Sequence, residues 1–222
     1  MFRVEADWIS RIVYDPRDPK EFFPLLNVGS QTLKFRKTDQ PHIDQLIFSP
    51  AREKNFKVVH TDLQQGEGID ISGDLCNPDF LDRLRTYRFK SVLCSNLLEH
   101  VSVGMRKPIC VAIEQIVENQ GYIIVTVPFS YPYHPDPIDT YFRPTPAELG
   151  ALFEQCEHIE SAIIEYHSFA RKLANNRKLL FTTLIRSLMP FYRPNKWLGV
   201  VHQFFWLFRN YKVTAVLLRK RG

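Results

Sequence analysis

The chain has few cysteines, no long apolar run and no recognisable leader. Its four cysteines, Cys76, Cys94, Cys110 and Cys156, are far apart and form no C-x-x-C pair, so the sequence indicates neither a zinc knuckle nor a disulfide framework. No stretch approaches the roughly 18 consecutive apolar residues that span a bilayer. The first residues lack the basic-then-apolar pattern of a signal peptide. We therefore expect a soluble, cytoplasmic protein with reduced thiols.

Acidic residues are missing from the last quarter of the chain. Residues 171–222 contain 12 Lys or Arg and no Asp or Glu, whereas residues 1–170 contain 17 basic and 24 acidic residues, a net charge of −7. Such a basic end predicts an anionic partner, which could be phosphate, anionic lipid or nucleic acid. The alternative is that the basic end folds back on the acidic body. Nucleic acid is the least favoured partner because the sequence contains no DNA- or RNA-binding module.

The overall composition is that of a folded globular protein. The 222 residues are 45% hydrophobic and 24% charged, which excludes intrinsic disorder, collagen-like repeats and small disulfide scaffolds. The length suits one domain with an added segment. We expect a core in residues 1–170, a basic helical insertion in residues 171–210, and the last strand of the core sheet in residues 211–222.

Strand patterns alternate with helix patterns along the core. This alternation predicts a Rossmann-like, doubly wound α/β fold with a mostly parallel, seven-stranded sheet and a basic helical insertion before the last strand. The predicted strands are 22–30, 57–63, 69–71, 89–95, 122–128 and a final pair at 159–164 and 213–218. The predicted helices are a short one carrying Ile43, Leu46 and Ile47, one over 78–87, one opened by Pro108 and ended by Gly121, and one with a capping box at Thr145-Pro146-Ala147-Glu148.

The residues just past these strands are the candidate ligand contacts, because ligands of such sheets bind across the carboxyl ends of the strands. They include small, acidic and amide side chains, which suit a nucleoside-type ligand. These positions are Gly29-Ser30, Asp62, Asp74, Ser95-Asn96 and the segment after Pro128.

Four sequence pieces occur in a characteristic order: Leu25-Leu26-Asn27-Val28-Gly29-Ser30, Asp62, Gly73-Asp74-Leu75 and Ser95-Asn96-Leu97-Leu98-Glu99-His100-Val101. A fifth runs from Gly121-Tyr122 to Val127-Pro128. Together they resemble the class I S-adenosylmethionine-dependent methyltransferases, in particular the small bacterial, type 11-like group with a Leu-Glu-His-Val motif. The resemblance covers roughly residues 22–165 and the last strand.

The resemblance implies S-adenosyl-L-methionine as cofactor. It places the ribose hydroxyls at Asp62, the adenine amino group at Asp74 and the methionine portion at Gly29. As alternatives, Asp62 is a helix N-cap or turn residue, and Glu99 complements a helix N-terminus in place of contacting a ligand. The family's glycine-rich run is reduced here to Gly29, so we expect the loop to follow a different path or to bind the cofactor more weakly. The implied cofactor-binding set is Asn27, Gly29, Ser30, Asp62, Leu63, Asp74, Leu75, Ser95 and Asn96.

The proline-rich segment 130–144 follows the clearest strand and is expected to cover the mouth of the pocket. Its composition suits a preorganised substrate loop with a general base. We expect His134 to be that base, with Asp136 or Asp139 orienting it or the substrate; the alternative is a purely structural loop held by an Arg143–Asp pair. A metal site on these three residues lacks ligands, and none is expected. The expected substrate contacts are Tyr133, Tyr141, Arg143 and His100, the last of which is alternatively structural.

The insertion combines aromatic and basic residues. The run Phe204-Phe205-Trp206 with Phe208 and Arg209 resembles an interfacial amphipathic segment, so we expect peripheral contact with the inner membrane face through residues 171–210. Packing over the sheet edge and a homodimer face are the alternatives.

The sequence thus predicts transfer of a methyl group to a small-molecule or glycan acceptor, with the hydroxyl of a glycan or lipid-linked intermediate as the expected group. One alternative is a non-catalytic methyltransferase-like protein that docks through its basic C-terminal segment. A nicotinamide-dependent oxidoreductase is disfavoured, since no G-x-G-x-x-G follows the first strand.

Overall fold

A central sheet of seven strands organises the chain. The computed structural model describes residues 1–15, 18–133, 138–191 and 194–222. The strand order is β3-β2-β1-β4-β5-β7-β6. The strands are β1 Leu25–Val28, β2 Val58–Asp62, β3 Ile71–Ser72, β4 Phe89–Ser95, β5 Val117–Ser130, β6 Cys156–Tyr166 and β7 Tyr211–Lys220.

The strand directions confirm the expected α/β class, with one qualification. Strand β1 pairs in parallel with β2 on one side and with β4 on the other, so that Leu26 lies opposite Val59 and Val92. Strand β7 runs antiparallel to both β5 and β6, which makes the sheet mixed. The last two strands pair with each other as expected. Because the chain order reverses at β1 and β4, the carboxyl ends of these two strands form a topological switch point.

Nine α-helices are present in the described residues, and local signals account for several of their ends. Asn77 accepts a hydrogen bond from Phe80 N at 3.2 Å, and Thr145 and Glu148 form the expected capping box. π-Helical turns at Phe35–Asp39 and Asp44–Phe48 complete the region between β1 and β2. The helices are α1 Arg3–Tyr14, α2 Pro41–Ile43, α3 Ser49–Glu53, α4 Pro78–Arg85, α5 Val103–Ile116, α6 Pro146–Gly150, α7 Phe169–Ala174, α8 Arg177–Ser187 and α9 Pro194–Phe204.

The sheet is covered on both faces. Successive residues of β1 point to opposite faces, so Leu26 packs with Ile113 of α5 while Leu25 packs with Ile12 of α1 and Ile47. A smaller cluster connects helix α7 to the start of β7 through Phe169, Leu173 and Tyr211. The N-terminal helix α1 is therefore part of one main core face.

The expectation of a helix from Pro108 to Gly121 was wrong at both ends. Helix α5 starts at Val103 and contains Pro108 as its sixth residue, so this proline does not open the helix and instead removes the hydrogen bond that residue 108 would donate to Gly104 O. Gly121 is inside β5. A Cβ there would lie 2.6 Å from Lys90 O, so this glycine permits the close approach of two strands and does not end a helix.

The cysteines and the helix lengths bear on two expectations from the sequence. All four cysteines are free, and burial raises the pKa of Cys110 to about 12. None of the helices in the described ranges is long and apolar enough to cross a membrane.

Candidate functional site

The loop after β1 forms the centre of the candidate site. Gly29 has φ +64°, and a Cβ there would lie 3.0 Å from Leu97 Cδ1, so the loop follows a path that only glycine adopts without strain. Gln31 also has a positive φ, +56°. The loop therefore turns sharply with a single glycine, and its side-chain-bearing residues are held by other contacts.

Two side chains hold this loop. The Asp62 carboxylate, at the end of β2, accepts a hydrogen bond from Gln31 N at 3.0 Å. The buried Arg36 guanidinium donates to Ser30 O at 2.9 Å, to Gln31 O, and to Gly68 O at 2.7 Å. Burial lowers the pKa of Arg36 from its ordinary value, an effect that nearby carboxylates oppose. Arg36 thus fixes the loop by binding its carbonyl oxygens.

Asn27 lies in strand β1, beneath the loop, and bonds to the neighbouring strand. Its side chain is buried, and Nδ2 donates to His60 Nδ1 on the neighbouring strand at 3.1 Å. Burial lowers the pKa of His60 to about 3, so the imidazole is neutral at neutral pH and its Nδ1 accepts this bond. The pair connects β1 to β2 directly beneath Asp62.

The ends of β2 and β3 lie side by side. Gly73 N donates to Asp62 O at 3.0 Å. Asp74 follows on the surface, where its carboxylate accepts a bond from Cys76 N at 2.9 Å. Leu75 is buried, whereas Leu63 leaves 69% of its area exposed beside Asp62. This edge thus combines two carboxylates with an uncovered apolar side chain.

On the other side of the switch point, a buried carboxylate binds the ends of β4 and β5. Glu5 of helix α1 accepts hydrogen bonds from Ser95 Oγ at 3.0 Å, Asn96 Nδ2 at 2.7 Å and Thr126 Oγ1 at 2.5 Å. Its second oxygen accepts from Phe2 N at 3.1 Å. Ser95 and Asn96 therefore lie at the strand ends as expected, with their side chains bonded to a residue from the N-terminal helix.

Glu99 is a second buried carboxyl in the same region. Its side chain is 0% exposed, and neither oxygen has a hydrogen-bond partner in the described residues. The His100 imidazole lies nearby, with Nε2 at 3.8 Å from Glu99 Oε1. Burial raises the pKa of Glu99 to about 8, with Glu5 adding to the effect and Arg143 opposing it. A carboxyl in this state can hold or accept a proton near neutral pH.

The described part of the proline-rich loop folds onto the Leu-Glu-His segment. Thr140 N donates to Glu99 O at 2.9 Å, and Arg106 Nη2 donates to Thr140 Oγ1 at 2.6 Å. His100 Nδ1 donates to Ile138 O at 2.5 Å. These contacts bring the loop and Glu99 to the carboxyl end of β4.

An ion pair stabilises the loop itself. Arg143 donates to both oxygens of the buried Asp139 carboxylate, at 3.1 and 2.6 Å. Tyr141 stacks on Tyr133 with ring centroids 5.0 Å apart, and both rings are exposed. His134 and Asp136, the other two predicted catalytic residues, lie outside the described residues. Within the described ranges, no group of three or more His, Cys, Asp or Glu side chains is placed to hold a metal ion.

Sequence reasoning missed three residues of this region. Glu5 lies about 90 residues from the strand ends that it contacts. Arg36 is close in sequence to Ser30 and Gln31 but also binds Gly68 O, 32 residues away. Glu99 was interpreted as complementing a helix N-terminus or contacting a ligand, and not as a buried carboxyl. A local signal existed for Glu5, because an acid at the third helical position often caps the helix N-terminus. No sequence pattern indicated that Glu5 would also bind Ser95 and Asn96.

No protein-family model matches the chain, and no curated protein matches it in sequence. Several solved structures are similar to it in fold. The [4+2]-cyclase SpnF has a TM-score of 0.55 at 14% identity, with 97% of this chain and 81% of that chain covered. MccD protein has a TM-score of 0.54 at 13% identity, with coverages of 98% and 96%.

A putative sarcosine dimethylglycine methyltransferase from Galdieria sulphuraria has a TM-score of 0.50 at 10% identity, with 89% of this chain and 77% of that chain covered. At such identities a likeness establishes architecture, and proteins of one architecture can differ in chemistry. The chain therefore has the Rossmann-like α/β fold that these three proteins share.

Proposed function

We propose that the chain is an S-adenosylmethionine-dependent methyltransferase. The observation that carries the proposal is the pairing of the Gly29 turn with the Asp62 carboxylate at the switch point of the sheet. A turn with positive φ admits a ligand close to the backbone, and a carboxylate at the end of the adjacent strand suits a ribose diol. The shared fold of a putative methyltransferase supports the same assignment.

The residues at the ends of β1, β2 and β3 would hold the cofactor. Asp62 would accept hydrogen bonds from the ribose hydroxyls, Asp74 would receive the adenine amino group, and Leu63 would cover the adenine ring. Leu75 and Asn27 would support this edge from below. Gly29 and Ser30 would approach the methionine portion. When bound, the cofactor supplies an electrophilic sulfonium methyl group for direct displacement.

The β4–β5 side would hold the acceptor. Ser95 and Asn96, held by Glu5, would line the methionine portion of the cofactor next to the acceptor. Arg143 and His100 would fix the loop over the acceptor, and the exposed rings of Tyr133 and Tyr141 would contact it. The acceptor that we propose is a hydroxyl of a glycan or lipid-linked intermediate.

Transfer to a hydroxyl releases a proton, which a neighbouring group must accept. We propose His134 as that base, with Asp136 or Asp139 orienting it, and the buried Glu99 carboxylate as a second candidate. Glu99 is supported by its burial, its lack of a hydrogen-bond partner within the described residues, and its contact with the loop through Thr140. Alignment of the reacting groups in a water-poor site supplies much of the remaining catalysis.

Calorimetric titration with S-adenosylmethionine and S-adenosylhomocysteine tests the proposal. An Asp62→Asn variant retains an oxygen that can accept from Gln31 N–H, so the loop is preserved while the charge is lost. Because a hydrogen bond to a charged group contributes roughly 1.5–3 kcal/mol, we expect at least tenfold weaker binding. The exposed Asp79 provides the control, and Asp79→Asn should bind like the wild type.

Absence of binding by the wild-type protein would refute the proposal. It would favour the alternative of a non-catalytic protein that keeps this fold and docks through its basic C-terminal segment. Equal binding by wild type and Asp62→Asn would instead contradict the role of Asp62.

A further inference from the structure

Helix α8 presents its apolar side to solvent. Leu180, Phe181, Leu184, Ile185 and Leu188, the last just past the helix end, follow the spacing i, i+1, i+4, i+5 and i+8, which places them on one side of a helix. All five are exposed, Phe181 by 66% and Leu188 by 81%. We call these five residues the α8 apolar face. A soluble helix normally buries such a face.

The opposite side of α8 is partly polar and turned inward. Thr183 is buried, and Nε and Nη2 of Arg186 are buried without a hydrogen-bond partner in the described residues. Exposed apolar side chains continue past the helix with Phe191, which is 98% exposed, and with Leu198 on α9. So many exposed apolar side chains in one segment indicate a surface that a partner covers.

Positive charge surrounds this surface. Residues 171–210 contain eight Lys or Arg and no Asp or Glu. Arg171, Lys172, Arg177 and Lys178 are exposed, and none of the four makes an ion pair with another described residue. Basic side chains beside exposed leucine and phenylalanine are the combination that binds at the headgroup–acyl boundary of an anionic bilayer.

The charge distribution also distinguishes between the possible partners of the α8 apolar face, a second copy of the chain and a membrane. A second copy of the chain on the α8 apolar face would bring two acid-free basic segments together, which like-charge repulsion opposes. The remainder of the chain, residues 1–170 and 211–222, contains 21 basic and 24 acidic residues, a net charge of −3, and is not attracted to an anionic surface as the acid-free segment is. A membrane would therefore be contacted through residues 171–210 and not through the body of the protein.

An aromatic cluster fixes this segment beside the acceptor side of the sheet. Trp206 and Tyr131, which follows β5, both lie against Tyr211, with ring centroids 5.8 and 5.2 Å from it. Phe169 of α7 belongs to the same cluster, and Phe2 stacks on Tyr166 at 4.3 Å. Phe169 N donates to Trp206 O at 3.2 Å. The same Phe2 precedes the helix that supplies Glu5, so the basic segment and the candidate acceptor site share one end of the molecule.

We propose that the α8 apolar face and its flanking basic residues dock the protein on an anionic lipid membrane, beside the acceptor side of the sheet. The proposal goes beyond methyl transfer and does not depend on it, since docking requires only the exposed surface of residues 171–210.

Co-sedimentation with vesicles tests the proposal. We expect the wild-type protein to bind phosphatidylglycerol-containing vesicles, to bind pure phosphatidylcholine vesicles weakly, and to dissociate as salt is raised. Reversing two charges in Arg177→Glu/Lys178→Glu should weaken binding roughly 25-fold or more, because each basic residue near an anionic surface contributes about a fivefold factor. The variant Phe181→Ser/Leu184→Ser should weaken binding at least tenfold.

A matched control is Val103→Ser, which removes an exposed apolar residue from helix α5 and should leave vesicle binding unchanged. Thermal unfolding and titration with S-adenosylhomocysteine confirm that each variant is folded, and they separate failure of docking from failure of the cofactor proposal. Equal sedimentation of wild type and both docking variants would overturn the inference. So would a light-scattering shift from dimer to monomer in Phe181→Ser/Leu184→Ser without vesicle binding by the wild type.

Discussion

Replacing Glu99 with glutamine should change how the stability of the protein depends on pH. Burial raises the pKa of Glu99 from its ordinary value of 4.5 to about 8. The unfolded chain releases this proton near pH 4.5, whereas the folded protein keeps it until about pH 8. The stability associated with the neutral carboxyl is therefore fully present below pH 4.5 and is lost as pH rises to about 8.

The magnitude follows from the difference between the two pKa values. At about 1.4 kcal/mol for each pH unit, the carboxyl costs the folded state roughly 4–5 kcal/mol between pH 4.5 and pH 8. The Glu99→Gln side chain stays neutral and avoids that cost. For a protein of this size the gain corresponds to a melting temperature roughly 10 °C higher at pH 8.5, with little difference at pH 4.5.

Differential scanning calorimetry of wild type and Glu99→Gln across this pH range is the assay. Glu5, Arg143, His100 and the N-terminal amine also face Glu99, and both proteins share them. The exposed Glu157 provides a control, because Glu157→Gln removes one carboxylate without removing a buried one. If the difference in melting temperature between wild type and Glu99→Gln is the same at every pH, the reasoning is refuted.

Three further substitutions test residues around the site. Arg36→Met should lower the free energy of unfolding in urea by about 3 kcal/mol, because three carbonyl oxygens lose their donor. The exposed control Lys37→Met should have little effect, and equal effects of the two substitutions would contradict the role given to Arg36. His60→Leu should lose less stability than the wild type when the pH is lowered from 6.5 to 3. The reason is that the pKa of His60 is lowered to about 3, so that across this range the imidazole is protonated only in the unfolded chain. Equal losses of melting temperature in the two proteins would count against a buried neutral imidazole. Asp139→Asn should speed proteolytic cleavage of the loop, and the double variant with Arg143→Met should show coupling; additive effects would mean that the ion pair does not hold the loop.

The fold could be predicted where the sequence signal was local. The apolar run at the centre of β5 and the capping box at Thr145 each determine their element through nearby residues, and both were predicted correctly. The signals at Pro108 and Gly121 were misread because a proline in an early turn and a glycine in a strand have local meanings that only the tertiary neighbours reveal. In the second case that neighbour is Lys90 on the adjacent strand.

The candidate site was predictable only in part, for a similar reason. Strand ends identify Asp62, Ser95 and Asn96, because a parallel sheet brings its carboxyl ends to one edge. The contact between Glu5 and these strand ends bridges about 90 residues of sequence, and no periodicity encodes it. The burial of Glu99 likewise depends on a loop some 40 residues later in the chain.

The most direct test of the central claim is a crystal structure of the protein with S-adenosylhomocysteine. We expect the nucleoside across the carboxyl ends of β1 and β2, with the ribose hydroxyls on the Asp62 carboxylate and the homocysteine portion against Gly29. Density for the ligand away from these strand ends, or none under saturating conditions, would contradict that claim.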